Sequence, residues 1–145
     1  MMLFRSLLPC IFLGATLFGC STVYESRITS FNCGPEPDTI IAILKGHVFE
    51  QKILSDEKDS LLPLSGVVVT LEEGRKTVLA DSSGAFTLYL GLKSTHPFKV
   101  TRPGYQTLKV EGFFAEKETQ AEITIVLAKG TMERTGRVTA CKIAY

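Results

Sequence analysis

From residue 40 onward the chain alternates apolar and polar positions in short runs separated by turn residues. Phe86, Leu88 and Leu90 fall on one face of an extended segment while Thr87 and Tyr89 take the other, and Ile123, Ile125 and Leu127 likewise oppose Thr124 and Val126. A period of two buries one face of a sheet and wets the other. With the β-branched runs at 40–50, 66–71, 77–80, 98–101 and 107–110, the segments 85–90 and 122–127 predict seven strands. No 3.6-residue periodicity persists, so the expected class is all-β. The connections carry turn chemistry: Glu73-Gly74, Asp81-Ser82-Ser83-Gly84 and Arg102-Pro103-Gly104-Tyr105. In the last, Pro103 presets φ and Gly104 supplies a positive φ, which suits a type II turn. Short strands closed by frequent turns point to a β-sandwich. The tail, residues 131–145, is less regular, with 137–143 compatible with an extra edge strand.

The start of the chain follows different rules. A single charge, Arg5, precedes a 12-residue apolar run at 7–18, and Gly19-Cys20 then gives way to polar Ser21 and Thr22. That is the outline of a secretion signal. The run is too short for a stable span of the ~30 Å hydrocarbon layer, which needs about 20 apolar residues. Leu17-Phe18-Gly19-Cys20 resembles the lipobox of bacterial lipoproteins, with Phe18 departing from the usual small residue. The resemblance implies cleavage after residue 19 and a lipid on the Cys20 sulfur. An ordinary signal with an incidental cysteine fits less well, because ordinary cleavage prefers a small residue where Leu17 stands. Each buried methylene contributes about 0.8 kcal/mol, so two or three acyl chains anchor a protein stably. Ser21 in place of Asp resembles sorting to the outer membrane where the organism has one. The membrane, reached through lipid on Cys20, is thus the first expected partner. Residues 1–19 form the expected signal peptide, 20–38 the anchor and a tether rich in Gly34, Pro35 and Pro37, and 39–130 the sandwich.

Charge narrows the function. Without Arg5 the mature part has 15 basic and 15 acidic residues. Phosphate contacts need a clustered basic surplus, so no nucleic-acid partner is expected. Of four cysteines, Cys10 leaves with the leader and Cys20 is consumed by lipid, leaving Cys33 and Cys141 as an even pair in an oxidising compartment. One disulfide between them would close a loop of 109 residues, worth roughly 4 to 5 kcal/mol in the chain-entropy account. Two buried thiols or an intermolecular bridge are the alternatives. Their separation excludes a local Cys-x-x-Cys redox or zinc site.

Several segments share an order with a known family: Gly46-His47-Val48, residues 64–71, Ala80-Asp81-Ser82-Ser83-Gly84-Ala85-Phe86, then Phe98-Lys99-Val100 leading to Pro103-Gly104-Tyr105. Over residues 41–129 the chain resembles the carboxypeptidase regulatory-like domain, which implies a seven-stranded, prealbumin-like Greek-key β-sandwich. Residues 51–63 make a longer first connection than the family's shortest members have. The matching residues are scaffold parts: Asp81 bonds amides within its turn, Gly84 closes it, Phe86 plugs the core and Tyr105 packs at the sandwich's end. The family's domain is a non-catalytic folding, spacing or interaction module, so the resemblance implies no enzyme, no cofactor and an unidentified envelope protein as partner.

Sharper chemistry finds little support. His47-Val48-Phe49-Glu50 reproduces the His-x-x-Glu pair of zinc carboxypeptidases, with His96 as an imaginable third ligand, but i and i+3 on a strand project to opposite faces, so no metal site is expected. The Tyr-Arg-Gly-Ser ending of the hydroxyisourate hydrolases, an enzymatic branch of the transthyretin-like sandwich, is absent. Asp56, Glu57 and Asp59 lack the spacing of a calcium loop and read as a solvated connection. Tyr89, Phe113 and Phe114 are the candidate partner contacts: paired aromatics in a connection anchor partners, or plug the open end of a sandwich. The alternative function, an envelope small-ligand or carbohydrate-binding module, needs these rings to line a concavity.

Overall fold

The computed structural model describes residues 24–35, 42–53, 59–72, 76–91, 94–115 and 119–138. Cys20, Cys141 and the expected signal peptide lie outside the described residues. Among the described residues there is no helix, and the chain forms twelve strands. In chain order they are β1 (Arg27–Pro35), β2 (Ala42–Ile53), β3 (Asp59–Pro63), β4 (Val68–Leu71), β5 (Thr77–Leu79), β6 (Ala85–Leu90), β7 (Ser94–Thr95), β8 (Phe98–Thr101), β9 (Thr107–Glu111), β10 (Phe114–Ala115), β11 (Thr119–Leu127) and β12 (Glu133–Arg137). The fold is all-β, as the alternation predicts, and each of the seven expected strands has a counterpart.

The strands form two five-stranded sheets and one short ladder. The first sheet runs β1-β11-β2, and β2 is long enough to take two partners on its other edge: β6 along Ala42 to His47 and β3 along Phe49 to Ile53. The second runs β12-β9-β8-β4-β5. Most pairs are antiparallel, but β11 lies parallel to β2 and β12 parallel to β9. The two-residue strands β7 and β10 pair with each other.

Alternation explains which faces meet. In β4, β6, β8 and β9 every second residue is buried. Val69, Phe86, Leu88, Phe98, Val100 and Leu108 thereby enter one continuous core with Ile123, Ile125 and Leu127 of β11. Each such side chain contributes about 1.5–3 kcal/mol by leaving water. Val126, expected on the wet face, is also buried, flanked in its rung by Arg27 and Phe49.

Three expectations about organisation change. The segment expected to be a tether, 20–38, contains β1, which pairs with β11 from Arg27↔Val126 to Pro35↔Thr119. The connection expected at 51–63 is a hairpin: β2 continues to Ile53 and β3 returns from Asp59. The extra edge strand is β12 at Glu133–Arg137, upstream of the 137–143 expected for it. The sandwich therefore exceeds the expected 39–130 at both ends, with more than seven strands.

Two glycines are dictated by close approach. Gly46 on β2 faces Phe86 across its rung, and a Cβ there would clash with the tip of the ring at Cζ. Gly84 has φ +75° and would drive a Cβ into the Val48 carbonyl, while Val48 N donates to Gly84 O at 2.9 Å. The second turn also forms as expected: Gly104 has φ +83° and Tyr105 N donates to Arg102 O at 3.1 Å. Overpacking a filled core costs about 1–3 kcal/mol, so Gly46→Ala is expected to lower stability by that amount in urea unfolding. Combining it with Phe86→Leu should cost less than the two single changes added together, because the smaller side chain vacates the space the methyl needs.

Candidate functional site

The two sheets meet along one side where β1, the edge of the first, lies beside β12, the edge of the second. Each strand has a ladder partner on one side only, so both edges face a groove. It has a volume of about 490 Å³ and is lined by residues 25–28 and 133–137. A smaller extension of about 280 Å³ continues along Ile28 to Phe31 toward Arg137 and Val138. Gly136 lets the strands approach, since a Cβ there would sit 2.7 Å from the Ile28 side chain.

The groove's chemistry is that of guanidinium groups. Arg134 Nη2 pairs with Glu25 Oε1 at 2.8 Å, bridging the two sheets, while its Nε is buried with no hydrogen-bond partner. Arg27 donates through Nη2 to Gln51 Oε1 at 2.9 Å and through Nη1 to Glu25 O at 3.3 Å. Arg137 is highly exposed and reaches Glu111 at 3.8 Å. Fixed donors beside unpaired strand edges suit recognition of an extended chain or a carboxylate.

A buried polar latch fixes one end of the groove. Gln106 Oε1 accepts from Ser26 N at 3.0 Å, and Gln106 Nε2 donates to Tyr24 O at 3.2 Å. Ser26 Oγ donates to Gln106 O at 3.3 Å and accepts from Ala128 N at 3.0 Å. Ser26 and Gln106 are both buried, so their polar atoms depend on one another for hydrogen bonds.

The residues singled out from the sequence do not converge. Phe113 is completely buried, edge-on to Phe31 with ring centroids 5.9 Å apart. As a partner contact it is therefore corrected: it plugs the core, and an aromatic concavity built on it is not formed. Tyr89 is exposed on β6 with the Lys76 ammonium 5.8 Å from its ring centre. Phe114 lies in β10, opposite Thr95, and its side chain is outside what the structure describes. Cys33 is exposed on β1 opposite Ala121.

The imagined ligand set is likewise dispersed. His47 stacks on Phe49 at 6.4 Å, Glu50 pairs with Lys129 at 3.4 Å, and His96 is buried with Nε2 2.7 Å from Gly91 O. Among the described residues no three His, Cys, Asp or Glu side chains are grouped to hold a metal ion.

Perturbed titrations mark scaffold contacts. Asp81 Oδ1 accepts from the Ser83 hydroxyl at 2.7 Å, Ser83 N at 2.8 Å and Ala85 N at 3.0 Å, and these bonds hold its carboxyl below the usual range. Burial raises the Tyr105 phenol, and the Glu50 carboxylate beside it adds to the effect. Glu111 at 3.1 Å, then Glu72, raise Lys109. No family model matches the chain, and no curated protein does either.

Gln106→Leu strands the Ser26 amide and should cost about 1–3 kcal/mol, the usual penalty of a buried unpaired donor, read as a lower urea midpoint. Asp81 has a depressed folded pKa, so its stabilisation is complete above the ordinary carboxylate pKa and fades as pH falls through the folded value. Asp81→Ala should therefore be less stable at neutral pH and lose less on acidification, measured as unfolding midpoint against pH.

Proposed function

We propose that the chain is a bacterial envelope lipoprotein, acylated on Cys20, whose single β-sandwich is a non-catalytic module with a structural or protein-interaction role. The outer membrane is the expected destination in an organism that has one. The observation that carries this reading is the latch at Tyr24 and Ser26: four residues after the proposed lipid site, the backbone is already locked into the domain by Gln106. Lipid on Cys20 would thus be fastened to a rigid body. The fold is proposed to be the prealbumin-like Greek key of carboxypeptidase regulatory-like domains. Support comes from where the resembling segments fall: Gly46 on β2 under Phe86, the Asp81 turn between β5 and β6, and the Gly104 turn between β8 and β9. The interaction surface is proposed to be the arginine-lined groove, where two unpaired strand edges accept an extended segment of an envelope protein.

The disulfide completes the proposal. Cys33 is proposed to be disulfide-bonded, a state in which it carries no titrating thiol. With Cys10 assigned to the leader and Cys20 to lipid, Cys141 is its proposed partner, which would tie the C-terminal tail to β1.

Mass spectrometry of the mature protein tests both assignments, with and without globomycin. The expected result is a diacylglyceryl mass on an N-terminal Cys20 that globomycin prevents from maturing, and a Cys33–Cys141 peptide released only by reductant. Cleavage elsewhere, or an unmodified Cys20, overturns the anchor.

A further inference from the structure

We infer that the end of the sandwich where the chain enters rests on the lipid surface itself, with Leu61, Leu62 and Met132 in contact with the bilayer interface. The inference rests on the proposed acylation of Cys20 and adds the orientation that follows from it.

Chain length sets the first constraint. Three residues lie between Cys20 and Tyr24, four steps along the chain, and an extended chain spans at most about 3.6 Å per step, so Tyr24 lies within roughly 14 Å of the acylated residue. Tyr24 is bonded to Gln106 and cannot release more chain without breaking the latch.

The register identifies what else occupies that end. Arg27 pairs with Val126, Val126 with Phe49, and Phe49 with Pro63, so the start of β1 is level with the end of β11 and the last residue of β3, while β2 runs on for four residues beyond Phe49. Leu62 and Leu61 lie one and two rungs further out, opposite Glu50 and Gln51. They are adjacent on a strand and so point to opposite faces, yet they are 41% and 46% exposed, which means the hairpin here stands clear of the body. Met132, 55% exposed, lies in the turn from β11 to β12, with its carbonyl bonded to Thr107 N at the start of β9. Of the five exposed large apolar residues described, these three share the anchor's end; Leu79, paired with Val68 and through it level with Thr101, lies at the same height but on the far edge strand β5, and Tyr89 lies toward the opposite end, opposite Ile43.

A single exposed apolar residue needs no explanation, but several on one end held near a bilayer fit an interfacial surface. The cations at this end are only partly offset: Arg134 pairs with Glu25 and Lys129 with Glu50, whereas Arg27 bonds the neutral Gln51, Arg102 stands over the Tyr105 ring and Lys52 is exposed further out on the hairpin. Apolar insertion to a depth of about 5–10 Å is the expected mode, as for other interfacial segments. Apolar contact of this kind persists on zwitterionic lipid, where no net surface charge draws the cations.

The chain contains no tryptophan, so introduced ones report without background. Leu62→Trp, Met132→Trp and, for the opposite end, Tyr89→Trp are made singly in the full chain, purified with lipid on Cys20 verified by mass, and reconstituted into phosphatidylcholine vesicles with or without phosphatidylglycerol. All three sites are exposed, and circular dichroism checks that the variants fold. With lipids brominated in the upper acyl chain, the indole emission of the Leu62→Trp and Met132→Trp variants should shift blue and be largely quenched in both vesicle types, while that of Tyr89→Trp stays unshifted and unquenched. Absence of quenching in the first two variants with the lipid mass present overturns the seating alone. A blue shift without quenching assigns these residues to a protein contact and also overturns it. An unmodified Cys20 removes the anchor and the seating together.

Discussion

The pairing of β1 with β11 is the constraint on which the rest of the molecule depends. Without it, the chain before residue 40 would be a polar leash of the kind its composition suggests, and the domain would hang at a variable distance from whatever holds its start. With it, residues 27–35 become an edge strand, and β11 lies between β1 and the parallel strand β2. Ile123, Ile125, Val126 and Leu127 are all buried there, so separating β1 would uncover the rim of the main core. The Ser26 and Gln106 latch then continues the fastening beyond the ladder into the second sheet, since Gln106 directly precedes β9. Local strand pairing thereby becomes a tertiary lock between the two sheets.

The same pairing creates the groove. A strand added to one sheet's edge brings that edge beside β12, and neither ladder extends across the gap. What bridges it is side-chain chemistry: Arg134 to Glu25 across the seam, and Ile28 seated against Gly136. A guanidinium whose Nε finds no acceptor in a partly buried place is an incomplete hydrogen-bonding arrangement, and such groups are uncommon in a settled scaffold. The Asp81 turn makes the contrast: its Oδ1 takes three donors and its neighbouring glycine closes the loop, a finished arrangement suited to holding shape. The unfilled capacity is at the seam, which is why the interaction role is proposed there and not at the aromatic residues.

How much of this is legible in the sequence depends on where each strand keeps its signal. Strands buried on one face write their alternation into the sequence, and β4, β6, β8, β9 and β11 are readable for that reason. β1 reads Arg-Ile-Thr-Ser-Phe-Asn-Cys-Gly-Pro, with Ile28 and Phe31 its only large apolar residues, both packed on the core but out of step with a period of two because the register shifts between Ile28 and Ser30. β12, Glu-Arg-Thr-Gly-Arg, has no large apolar residue and exists through its parallel pairing with β9. β3 is short, ends in proline and carries exposed leucines, so it resembles a loop. The groove is made from β1 and β12, two strands without a pattern. Its residues come from segments more than 100 positions apart, and nothing local announces that Glu25 and Arg134 meet. Phe113 is ambiguous for the opposite reason: an aromatic pair in a connection looks the same whether it faces out or plugs the core, and only the Phe31 ring supplied by β1 decides the matter.

On the proposed anchoring, the lipid-facing end and the proposed binding groove are arranged along one axis. The groove begins at Glu25 beside the chain's entry and runs along β1, whose far end reaches Pro35 opposite Thr119. A nine-residue strand spans about 30 Å, so a sandwich seated on its entry end presents the groove as a slot rising from the lipid surface. A partner segment lying in that slot would run away from the membrane, and its first contacts, Arg27 and Arg134, would sit closest to the headgroups. A long leash would leave the slot's orientation undefined; with lipid on Cys20, a three-residue link followed by a buried latch would fix it. Under the proposed anchoring, the polar entry segment, plain by composition, is therefore the part of the chain that would give the domain a direction.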